Sequence, residues 1–109
     1  MTKIEIVRSD GKIIGFYVSG HSGYAKSGRD IVCSAVSALT QSAAYGLTDI
    51  AGIEAKCSLG EEELSCGLNA EQTCEQRLKA DMILETMLAG LLSIEAGYPR
   101  NLKISQREV

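Results

Sequence analysis

Two runs rich in Ile, Val, Phe and Tyr, residues 2 to 8 and 12 to 19, stand on either side of Asp10-Gly11, and this arrangement constrains the fold more than any other feature of the chain. Gly tolerates positive φ at little cost, so an Asp-Gly step between two β-prone runs closes a two-residue hairpin. The chain therefore opens as antiparallel β structure. A second alternation lies farther on. Ile53, Ala55, Cys57 and Leu59 alternate with Glu54, Lys56 and Ser58, and after Gly60-Glu61-Glu62 the pattern resumes as Leu64, Cys66 and Leu68. Period-two patterning of this kind predicts a second hairpin with one wet face. Cys57 and Cys66 take inward positions and face each other if the turn centres on Glu61-Glu62; a reduced apolar pair is the default there, and a disulfide an oxidation product.

Elsewhere the period becomes helical. Asp30 can cap a helix that runs to about Ile50, with Val32, Val36, Leu39, Ala43 and Leu47 on one broad face and Gly52 just past the end. This helix is expected to be long and largely buried. From about Cys74 to Ala96, Leu84, Met87, Leu88 and Leu91 form an apolar face opposite Glu75, Lys79 and Glu85, and Gly97-Tyr98-Pro99 stops the helix. Leu102 and Ile104 predict a short final strand. The order is ββαββαβ, an α+β arrangement in which an antiparallel or mixed sheet packs against two helices. A chain of 109 residues fits one domain, residues 1–109, with one core. Strand order does not follow from this pattern.

Composition removes several functions. The net charge is −3, whereas holding nucleic acid by its phosphates needs a surplus of Lys and Arg on one face. Four Tyr and one Phe are too few aromatics for base stacking along a groove. No direct nucleic-acid binding is expected, and an acidic surface would favour encounter with a basic partner. Charges at Lys3 and Glu5 break any apolar leader, and no run of ~18 apolar residues occurs. The expected location is the cytoplasm, with no membrane contact, where the four cysteines are mainly reduced. Cys57, Cys66 and Cys74 contain no C-x-x-C pair, and with a single His a structural zinc site is not expected.

Residues 20 to 29 hold three glycines and two serines, a loop composition, and carry His21, the sole histidine. A cysteine nucleophile must be a thiolate near neutral pH, which calls for an imidazolium neighbour or a helix N-terminus. Cys33 can have both: it falls in the first turn after Asp30, where unpaired N–H groups and the helix dipole favour negative charge, and His21 is near enough in sequence to fold back. Backbone amides at Cys33 and Ser34 could serve an oxyanion, and Ser37 lies one turn beyond Cys33 on the same face. The plainer readings stand beside these. A cysteine early in a helix more often packs as a small hydrophobe, a histidine between glycines is more often a solvated loop residue, Asp30 is simply a cap, and Ser37 bonds its own backbone.

The segments Gly20-His21-Ser22-Gly23-Tyr24-Ala25 and Gly28-Arg29-Asp30-Ile31-Val32-Cys33-Ser34-Ala35-Val36-Ser37 closely resemble the signature of the ribosomal-processing cysteine protease family called Prp. The likeness extends to length and element order. It implies removal of a short N-terminal extension from a large-subunit ribosomal protein precursor, with cleavage after an aromatic and before a small residue. It also implies His21 and Cys33 as catalytic residues, Asp30 and Ser37 in support, and a substrate loop containing Gly20, Ser22, Gly23 and Gly28. A homodimer with no metal or organic cofactor is implied as well. Two rivals use the same residues: a non-catalytic ribosome-associated module that docks a basic ribosomal protein while Cys33 merely packs, and a thiol redox or acyl-transfer enzyme.

Overall fold

A computed structural model describes residues 1–20, 31–60, 63–69 and 71–109. Its elements are β1 (Thr2–Ser9), β2 (Lys12–Ser19), α1 (Ile31–Tyr45), a π-helical turn (Gly46–Ile50), β3 (Ala55–Leu59), β4 (Glu63–Leu68), α2 (Cys74–Gly97) and β5 (Leu102–Glu108). This is the expected ββαββαβ order. The sheet runs β3-β4-β2-β1-β5; all neighbours are antiparallel except β1 and β5, which pair in parallel from Thr2↔Leu102 to Arg8↔Glu108. The sheet is therefore mixed, and the first and last strands lie side by side.

The Asp-Gly turn forms as read. Asp10 and Gly11 have φ of 52° and 76°, the two positive values that match the twist of paired strands. Along β1, Thr2, Ile4 and Ile6 are buried while Lys3 is exposed. Phe16, Leu64, Cys66 and Leu102 continue this apolar face across the sheet. Against it pack Val32, Val36, Ala43 and Leu47 from the first helical segment and Ala80, Leu84, Met87, Leu88 and Leu91 from α2. The opposite face of the sheet carries Glu5, Tyr17, Ser65 and other polar side chains toward solvent.

Several details differ from expectation. The first helix buries only one stripe, since Ile31, Tyr45 and Ile50 are exposed, and its last turn widens: Ala51 N–H donates to Gly46 O five residues back. Gly52 ends it with φ of 65°. Thr40, a polar residue, joins the buried stripe by donating its hydroxyl to Val36 O at 2.8 Å. Cys57 does stand opposite Cys66, with Cα atoms 4.1 Å apart, but it is exposed, because β3 is an edge strand beyond the cover of the helices. The two sulfurs are joined as a disulfide rather than held as a reduced pair. The final strand is longer than Leu102–Ile104 because pairing with β1 carries it on to Glu108.

Thr73 and Gln76 start α2 with a reciprocal capping box, Gln76 N–H donating to the Thr73 hydroxyl at 3.1 Å and Thr73 N–H to the Gln76 side chain at 2.9 Å. Such a cap contributes about 1 kcal/mol. Arg8 ties α2 to the sheet. Its guanidinium donates twice to the Glu85 carboxylate, at 2.8 and 3.2 Å, and also to Gln106 and Gly11 O. The Arg8 hydrogen bond holds the Glu85 carboxyl below its ordinary value. Because the folded value is the lower one, this pair stabilises the fold above about pH 4.5 and its contribution disappears as pH falls through the folded value. Glu85→Gln is accordingly expected to cost under ~1 kcal/mol at neutral pH, since the pair is partly exposed, and to flatten the acid limb of a stability-against-pH curve measured by denaturant titration.

Candidate active site

At one end of the sheet, β1 begins, β2 ends and the β3–β4 hairpin turns. The first helix lies across this end, and between them is a small cavity lined by Cys33, Val36, Ser37, Thr40 and Gln41 from the helix and by Thr2, Val18, Gly20, Leu59, Gly60, Glu63 and Leu64 from the sheet. The helical contributors fall at i, i+3, i+4, i+7 and i+8, one face of an α-helix. Cys33 is half-buried, in the first turn of α1, whose described part begins at Ile31. Val32 beside it is almost wholly buried, which anchors the turn that carries the thiol.

The cavity volume is about 70 Å³, under half of the roughly 150 Å³ that admits benzene in an apolar engineered cavity. A small side chain or a stretch of peptide backbone fits as the walls stand. Val18, Val36, Leu59 and Leu64 make much of the lining apolar. The Thr2 hydroxyl at the sheet wall is buried and finds no hydrogen-bond partner among the described residues, a condition native proteins rarely leave uncompensated. Glu63 lines the hairpin end of the cavity, and its carboxylate accepts a hydrogen bond from the Tyr17 phenol on the open face of the sheet, raising the phenol's pKa.

Of the residues singled out in sequence, the structure brings together Cys33, Ser37 and Gly20. His21, Ser22, Gly23, Gly28 and Asp30 lie outside the described residues. Gly20 itself lies close over the start of β1. Its φ is 78°, and a Cβ there would sit 2.7 Å from Met1 O, so glycine is what lets the end of β2 approach the Met1 backbone this closely. Thr2, Val18, Thr40, Gln41, Leu59 and Leu64 had no sequence signal as site residues, because only strand register and helix placement bring them to Cys33.

A family model described as "Cysteine protease Prp" matches residues 1–103. That match, over nearly the whole chain, places it in the class of cysteine proteases. The chain belongs to the cysteine protease Prp family. It is 32% identical over 108 residues to the ribosomal processing cysteine protease Prp of Bacillus subtilis (strain 168), covering 96% of both chains. It is 26% identical over 104 residues to the protein of the same name from Staphylococcus aureus, covering 93% of each. Among solved structures, S. aureus Prp in complex with a covalently linked product peptide matches with a TM-score of 0.86 at 24% identity, covering 97% of this chain and 99% of that one. A Streptococcus mutans protein matches with a TM-score of 0.80 at 21% identity over 100% of this chain and 96% of that one. These two likenesses concern the fold. Among the described residues no helix is long and apolar enough to cross a membrane.

The close approach of Gly20 to Met1 gives a test of this geometry. Gly20→Ala and Gly11→Ala both place a side chain at positive φ, but Gly11 has open space around it. Gly20→Ala is therefore expected to lower the denaturant midpoint more than Gly11→Ala does, by the added cost of moving the Met1 backbone.

Proposed function

We propose that this protease removes the short N-terminal extension of a large-subunit ribosomal protein precursor by thiolate chemistry at Cys33, with His21 as the general base. The observation that carries the reading is the shared cavity of Cys33 and Gly20: the residue preceding His21 sits on the rim of the pocket that holds the thiol. His21 takes the thiol proton, and the thiolate attacks the scissile carbonyl. The oxyanion is held by backbone N–H groups in the first helical turn. The protonated imidazole then gives its proton to the leaving amine, and water attacks the thioester to release the second product.

Asp30 and Ser37 are assigned supporting roles. Ser37 shares the cavity with Cys33, where its hydroxyl can meet bound peptide; Asp30 directly precedes the described part of α1 and suits a cap that fixes the helix start. Gly20, Ser22, Gly23 and Gly28 belong to the substrate loop, whose glycines permit opening and closing over a peptide. The net charge of −3 favours encounter with a basic ribosomal protein. Action in the cytoplasm as a homodimer completes the proposal; the exposed Ile50, Leu78 and Met82, gathered with Ala51 and Ile83 on the helical side, support a surface that a second copy covers. No cofactor takes part in this chemistry.

Cys33→Ala is expected to keep the melting temperature within a few degrees and to abolish cleavage of a peptide spanning the extension, read as product masses. Turnover retained by that variant would remove Cys33 from the mechanism.

A further inference from the structure

The sheet has two outer edges, and the chain treats them differently. Along β5, Ile104 N–H donates to the Glu95 carboxylate at 2.7 Å, and Lys103, Arg107 and Glu108 add charge. Capping and charge are how proteins keep an edge strand from pairing with other chains. Among the described residues β3 has no such cap and carries less charge. Its five residues, Ala55–Leu59, include one charge, Lys56; four of the five are exposed; and among the described residues its backbone is hydrogen-bonded to β4 alone.

The groups left open can be assigned. Gly60 N–H donates to Glu63 O at 2.7 Å, which makes that a hydrogen-bonded pair, and antiparallel pairs alternate. Leu59↔Leu64, Cys57↔Cys66 and Ala55↔Leu68 are then non-hydrogen-bonded pairs. The N–H and C=O groups of Ala55, Cys57 and Leu59 consequently point away from the sheet. This row of donors and acceptors ends at the cysteine, because Leu59 and Gly60 line the cavity that Cys33 lines. The sequence around the strand is acidic, with Glu54, Glu61, Glu62 and Glu63 against Lys56.

We infer that β3 is the docking strand for the substrate: an extended, basic peptide segment next to the scissile bond adds to the sheet through the outward groups of Ala55, Cys57 and Leu59 and reaches Cys33 at the Leu59-Gly60 end. This rests on the proposed protease activity. Strand addition draws affinity from the main chain and leaves specificity to pockets for alternate side chains, here the cavity beside Cys33. It also accounts for an edge strand that is bare among the described residues at the site while the opposite edge is capped.

Residue-resolved hydrogen exchange on Cys33→Ala, with and without the extension peptide, tests the inference. The amides of Ala55, Cys57 and Leu59 are expected to slow on peptide addition, while those of Lys56 and Ser58, already paired with β4, change less. A second measurement compares Cys57→Pro with Cys57→Ser; both lose the disulfide, but only proline loses the outward N–H, at an edge position where proline is tolerated. The proline variant is expected to show a KM roughly threefold to tenfold higher, the worth of one backbone hydrogen bond, with kcat and the rate of Cys33 alkylation by iodoacetamide unchanged. Wild-type cleavage without protection of β3 overturns the docking strand and leaves the protease reading standing. Protection that appears without peptide as protein concentration rises assigns the edge to a second copy and overturns it too. A wild-type chain that does not cut the peptide overturns both readings.

Discussion

The burial of one helical stripe, Val32, Val36, Thr40, Ala43 and Leu47, against the apolar face of the sheet is the constraint on which the rest depends. Each large aliphatic side chain removed from water contributes roughly 1.5–3 kcal/mol, so the stripe fixes both the rotation and the axial position of the helix. With Val32 and Val36 pointing inward, Cys33 and Ser37 are turned toward the end of the sheet. A rotation of the helix by one residue would bury the thiol or expose it fully. Packing of the helix stripe thus sets where Cys33 and Ser37 stand relative to the sheet.

The sheet does the complementary work. Because β2 lies between β1 and β4, the start of β1, the end of β2 and the β3–β4 turn all meet at one end. Thr2, Gly20 and Leu59 come from distant parts of the chain and converge on the cavity of one cysteine. The opposite end is held by Arg8, which joins the first turn, the last strand and α2. One end is thereby cross-braced, while the other holds a cavity and, among the described residues, an unpartnered hydroxyl and a bare strand edge.

Much of this architecture was legible in local pattern. The Asp10-Gly11 turn, the two alternating hairpins and the Leu84-to-Leu91 face all rest on periodicity and turn chemistry within a few residues, and element order followed from them. What needed the structure is non-local. The parallel pairing of β5 with β1 joins residues about a hundred positions apart, and no local signal carries it. The exposure of Cys57 depends on β3 being an edge, a property of strand order. The widened turn at Gly46–Ile50 and the burial of Thr40 likewise follow from how the helix lies on the sheet. At the site, Cys33 and Ser37 could be placed on one helical face from spacing alone, whereas the walls opposite them could not.

The proposed mechanism needs a sulfur that is anionic near neutral pH, which the start of a helix favours, and an imidazole partner, for which His21 is the single candidate in the sequence. The direct measurement is the rate of iodoacetamide alkylation of Cys33 as a function of pH, with site occupancy read by mass spectrometry, in the wild type and in His21→Ala. Under the proposed mechanism the midpoint lies well below the roughly 8.5 of an ordinary thiol and shifts upward when the imidazole is removed. A midpoint at or above the ordinary value, indifferent to His21, would contradict it.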